Sequence, residues 1–101
     1  MILFETMTPL GTRIRTTESY WAKLITLKHP SMRGREIVVQ ETLRAPEQIR
    51  RSRADRSVLL YYSSVGDYHV CVVVKVLNGD GFIITAYKTV NIKEGEKIWP
   101  G

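Results

Sequence analysis

The chain is 101 residues long and 44% apolar, enough for one hydrophobic core and too little for two, so every functional group must share a single body. Fifteen Lys and Arg against ten Asp and Glu leave a net charge of +5, which raises affinity for phosphate polymers without selecting a sequence. One cysteine excludes an internal disulfide, and a thiol set among valines, as at Cys71, behaves as a small buried hydrophobe suited to a reducing cytoplasm. In chain order, Met1-Ile2-Leu3-Phe4-Glu5 lacks a basic leader and its apolar run is short, so neither a secretory signal nor a membrane span is expected. Pro9 and Gly11 interrupt any longer element there. Residues 1–12 therefore read as an arm, loose or partner-binding, ahead of one domain over 13–101.

Residues 13–16 suit a short edge strand, and Thr17 offers a side-chain oxygen to cap a helix starting at Glu18. Trp21, Leu24 and Ile25 fall at helical spacing, Lys28 favours the C-terminal end, and Pro30 stops the helix at His29. Ser31 can cap a second helix to about Arg44, with Met32, Val39 and Leu43 on one side, Ile37 off that stripe and Pro46 beyond its end. Residues 46–57 read as a polar connector carrying Arg50, Arg51, Arg53 and Arg56, the densest positive charge in the chain.

Three strands follow at 58–63, 68–77 and 82–90, separated by the turn compositions Ser64-Val65-Gly66-Asp67 and Asn78-Gly79-Asp80-Gly81. Alternation puts Val70, Val72, Val74 and Val76 on one face of the second strand and His69, Cys71, Val73 and Lys75 on the other. The valines need a partner set, and Phe82, Ile84 and Ala86 with Val58, Leu60 and Tyr62 are the expected one. A three-residue connection over 78–80 would set Val74 opposite Ile84 and gather Tyr61, His69, Lys75, Thr85 and Tyr87 on the uncovered face. A two-residue turn at Gly79-Asp80 would break that arrangement.

Several segments in order carry a resemblance. They are His29-Pro30 after an amphipathic helix; Thr42-Leu43-x-x-Pro46-Glu47-x-Ile49-x-x-Ser52; Leu60-Tyr61-Tyr62; Val73-Val74-Lys75; Phe82-Ile83-Ile84-Thr85-Ala86-Tyr87; and Ile92-Lys93-x-Gly95-x-x-Ile98-Trp99. Together they resemble the phage-type branch of the barnase–EndoU–colicin–RelE nuclease superfamily. The resemblance implies an α+β fold, with two N-terminal helices on one face of a small, mostly antiparallel four-stranded sheet. It also implies metal-independent ribonuclease activity, often in toxins or effectors held by an acidic antitoxin or immunity protein.

The residues support that chemistry on their own terms. Metal-free RNA cleavage needs a base for the 2′-hydroxyl, an acid for the leaving 5′-oxygen, and donors or cations for the phosphate. His29 is the natural proton-transfer group, Lys75 a point charge, and Thr85 and Tyr87 hydroxyl donors two apart on one strand face. Arg50, Arg51, Arg53, Tyr61 and Lys88 are the expected RNA contacts, and His69 is a second candidate acid. Cysteine and histidine at zinc spacing are absent, Asp55, Asp67 and Asp80 fall in separate turns, and no glycine-rich loop opens a helix, so neither metal nor cofactor is expected. A non-catalytic nucleic-acid-binding module of the same fold, or a partner-binding component of a phage or toxin system, is the alternative.

Overall fold

A computed structural model describes residues 1–92 and 94–101, and Lys93 of the closing segment lies outside the described residues. The chain forms β1 (Ile2–Met7), β2 (Arg13–Thr17), α1 (Glu18–Lys23), a π-helical turn (Leu24–Lys28), a 3-10 turn (Pro30–Met32), α2 (Glu36–Arg44), β3 (Gln48–Arg51), β4 (Val58–Val65), β5 (Tyr68–Leu77), β6 (Asp80–Thr89) and β7 (Glu96–Trp99). The strands make one seven-stranded sheet in the order β1-β2-β6-β5-β4-β3-β7, antiparallel except where β2 runs parallel to β6. This corrects the expected four-stranded sheet. The N-terminal arm supplies β1, which pairs with β2, and the arginine connector supplies β3, which pairs with β4 at an edge that the central meander leaves open. β1 is integral to the body: Phe4 is buried and meets Trp21 edge to face at 6.4 Å.

The helical region begins as the sequence indicates. Thr17 Oγ1 accepts from the Tyr20 amide at 3.1 Å, satisfying one of the free donors of the first turn. The amide of His29 closes a wide turn onto the Leu24 carbonyl at 2.8 Å, and Pro30 starts a new, tighter turn. α2 is shorter than expected, opening at Glu36, since Gly34 takes a positive φ of 77° between the two helical pieces. Trp21, Leu24, Met32, Val39 and Leu43 all enter the main core, while Ile37 stays exposed.

The three-strand meander forms where the sequence places it, but two turns and one bulge decide which side chains face the helices. β4 and β5 join through Gly66-Asp67 with Val65 opposite Tyr68, so Leu59 and Tyr61 pair with Val74 and Val72 and enter the main core. Leu60 and Tyr62 go to the opposite face. Tyr61 is fully buried under the helices, which corrects its assignment to an RNA-binding surface. Lys88 is likewise on the helix side, opposite Val70, with its ammonium 4.9 Å from the centre of the Tyr68 ring.

β5 and β6 turn through Asn78-Gly79, both at positive φ (54° and 82°), as a two-residue hairpin turn requires. That turn sets Leu77 opposite Asp80, Lys75 opposite Phe82 and Val74 opposite Ile83. Beyond it the register shifts, and Val73 faces Thr85 and Cys71 faces Tyr87. Ile84 is thus the extra residue of a β-bulge, and Ile83, not Ile84, fills the core. The bulge is why Phe82, Thr85 and Tyr87 share one face although 82 and 85 differ in parity. Its loosened carbonyl is held by two donors: Tyr20 Oη at 2.5 Å and Lys28 Nζ at 3.2 Å both bond to Ile84 O.

Candidate functional site

β2 pairs only with Asp80 to Phe82 of β6, so the rest of that strand has no strand neighbour on its outer side. The turns around His29 pack along this edge. His29 there reaches the face away from the main core, and its ring centre lies 5.5 Å from that of Tyr87. Proline in the next position ends the helix there.

The two rings border an open depression of about 450 Å³. Val58, Leu60 and Val73 form its apolar floor, and His29, Ser52, Thr85, Tyr87 and Glu94 supply its polar groups. Thr85 Oγ1 is buried there without a hydrogen-bond partner. An unmet buried hydroxyl costs stability unless a water or a ligand bonds it, and Thr85 is the one such group among the cavity's lining residues. Burial pushes the Tyr87 phenol well above the usual tyrosine range, with Cys71 beside it adding to the effect. Tyr87 therefore stays protonated and can donate. Burial also raises the neighbouring Cys71 thiol to about 11, which leaves it inert as a nucleophile.

Glu94 escaped the sequence reading. Its loop is shaped by Arg50, whose guanidinium donates to Glu94 O at 2.9 Å, Gly95 O at 3.2 Å and Gln48 Oε1 at 2.8 Å. Gly95 has φ of 83°, and a Cβ there would stand 2.5 Å from the Arg51 carbonyl oxygen, so only glycine lets the loop close this tightly on β3. The Glu94-Gly95 pair was the available signal, since a carboxylate beside a turn glycine is held at a loop tip. Ser52 was also missed. Its Oγ accepts from the Ala54 and Asp55 amides at 3.2 and 3.3 Å, which fixes the turn and leaves its own proton to donate.

The structure thus gathers His29, Thr85 and Tyr87 and leaves other expected residues elsewhere. Lys75 is on the same face but does not line the depression; its ammonium bonds Asp55 Oδ2 at 2.8 Å. That contact, with help from Ser57, holds the Asp55 carboxyl well below the usual carboxylate range. Arg50 is engaged in positioning the loop, which corrects its reading as a free phosphate contact. Arg51 and Arg53, with Arg56, Ser52 and Glu96, border a second notch of about 200 Å³, where Arg51 Nε is buried without a partner. Ser52 walls both cavities. His69 lies at the far hairpin, against Ser64 Oγ at 3.3 Å.

Among the described residues, no group of three or more His, Cys, Asp or Glu could hold a metal ion, and no helix is long and apolar enough to cross a membrane. No family model, curated protein or solved structure matches the chain, and the site is therefore read from its own chemistry.

Proposed function

We propose that the depression is the active site of a metal-independent endoribonuclease. The observation that carries this reading is the convergence of an imidazole, a carboxylate and an unpartnered buried hydroxyl on one open cavity in a chain of charge +5. Glu94 takes the proton of a 2′-hydroxyl as its oxygen attacks the adjacent phosphorus. The bond from phosphorus to the 5′-oxygen breaks, and His29 in its protonated form gives that leaving oxygen its proton. The products are a 2′,3′-cyclic phosphate and a free 5′-hydroxyl. Thr85 and Tyr87 donate to the phosphoryl oxygens as charge builds, where fixed donors in a partly dry site act most strongly. The notch of Arg51, Arg53 and Arg56 attracts the neighbouring phosphates, and an acidic antitoxin or immunity protein would compete with RNA there. A cytoplasmic location fits the unpaired thiol of Cys71.

The test is cleavage of single-stranded RNA in excess EDTA, with the termini of the products identified. Cyclic phosphate ends are expected, DNA of the same sequence should survive, and His29→Ala and Glu94→Gln should each lower the rate by about 10² to 10⁴. Strict dependence on a divalent metal, or equal cutting of DNA, would overturn the proposal.

A further inference from the structure

Phe82 stands out on the open face. It sits inside a strand yet is 47% exposed, a position where a large aromatic side chain gains little from folding. Its two cross-strand neighbours are both cationic: Arg15 of β2 on one side and Lys75 of β5 on the other, each in direct register. Shallow depressions flank the ring. One, of about 240 Å³, is bounded by Ile2, Arg15, Thr16 and Tyr20; the other, of about 170 Å³, by Arg15, Lys75, Leu77 and Asp80. Among the described residues Arg15 makes no ion pair, whereas Lys75 is held by Asp55.

We infer that Phe82 is a stacking platform for one unpaired nucleobase, with Arg15 receiving the phosphate attached to it. An exposed aromatic ring between cations offers what a single strand presents, a flat π-face on a chain of negative charge. Lysine, which flanks the ring on one side, is depleted at the centres of protein interfaces, and this favours a nucleic-acid strand over a protein partner. The position relative to the cavity is set by the sheet. Phe82 pairs with Lys75 and Thr85 with Val73, two residues apart along β5, so ring and hydroxyl stand about 7 Å apart along the strand. A strand whose scissile phosphate meets Thr85 can therefore lay a flanking base on Phe82. The bulge at Ile84 makes this possible, since without it one of the two would point into the core. The inference rests on the ribonuclease reading for the role of that base, which becomes a determinant of where the strand is cut.

Stacking does not depend on the sugar, so it can be measured on DNA that the 2′-hydroxyl mechanism cannot cleave. Fluorescence anisotropy of labelled single-stranded hexadeoxyadenylate gives the affinity, and a hexamer of abasic sugar-phosphate serves as the control. Phe82→Leu, which keeps an apolar side chain, should weaken hexadeoxyadenylate binding roughly 5- to 150-fold. Phe82→Trp should retain affinity, and neither change should alter binding of the abasic strand. Arg15→Ala should weaken both ligands and flatten their salt dependence. Equal hexadeoxyadenylate affinity for the wild type and Phe82→Leu would overturn the platform. So would a dimer in sedimentation velocity that Phe82→Leu dissociates without change in oligonucleotide affinity, since the face would then join two copies of the chain. If base-dependent binding holds while RNA is not cleaved, the ribonuclease reading fails and the platform stands; cleavage without a Phe82 effect on affinity gives the reverse.

Discussion

Thr85→Val should make the protein more stable and less active, and the two effects have one cause. The hydroxyl of Thr85 is buried with no partner, so the folded chain carries the desolvation cost of a polar group without a compensating hydrogen bond. Removing such a group, with little change of shape, should recover about 1–3 kcal/mol. In a domain of this size each kcal/mol raises Tm by roughly 4–8 °C, so calorimetry should show an increase of at least about 4 °C. On the proposed ribonuclease mechanism the same change removes a donor to the phosphate, and loss of one such donor typically costs about 10² to 10³ in rate. Thr42→Val is the control. Its hydroxyl is also buried but bonds the Val38 carbonyl at 2.8 Å, so that substitution should lower stability by about 1 kcal/mol and leave RNA cleavage unchanged. Thr85→Ser, which keeps the hydroxyl, should retain most of the activity. The reasoning fails if Thr85→Val melts at or below the wild-type temperature, which would mean that the hydroxyl is satisfied in solution, or if it cleaves RNA at the wild-type rate.

Two further outcomes follow from the surroundings of the cavity. Replacing Arg53 and Arg56 with alanine should make the logarithmic salt dependence of RNA binding shallower by about 0.7 for each lost phosphate contact. Both side chains are exposed, so the urea midpoint should shift by no more than about 0.5 kcal/mol in free energy, and an unchanged salt slope would remove the notch from the binding path. Cys71, buried and with its thiol raised from 9.0 to about 11, should react with a disulfide reagent at neutral pH no faster than the protein unfolds. The unfolded chain loses this proton first, so stability is intact below about pH 9 and declines as pH rises towards 11, by roughly 1.4 kcal/mol per unit. Burial of Tyr62 and Tyr87 acts in the same direction above pH 10. Rapid labelling of the native protein, or a urea midpoint constant from pH 8 to 10.5, would contradict this.

What the sequence by itself determined is local. The cap at Thr17, the helix stop before Pro30, the inward stripe of Met32, Val39 and Leu43, and the valine-rich strand of the meander are all legible because each depends on residues within a few positions of one another. That Thr85 and Tyr87 share one strand face was legible for the same reason. Tertiary structure decided the rest. The parity of β4 follows from a two-residue turn, so Tyr61 fills the core and Leu60 floors the cavity. The face of Phe82 follows from the bulge at Ile84, an irregularity sustained by Tyr20 and Lys28 more than fifty positions away. β2 joins the sheet on β6 and β7 joins it on β3, pairings whose partners are distant in the chain, and no periodicity within those short strands specifies them. Glu94 enters the site only because Arg50 and the glycine at 95 draw its loop onto β3. At the bulge and at the Glu94 loop a contact between distant segments chose among local options, and at the β4–β5 turn the choice mattered because a one-residue change of register exchanges the two faces of a strand while leaving its backbone equally well paired.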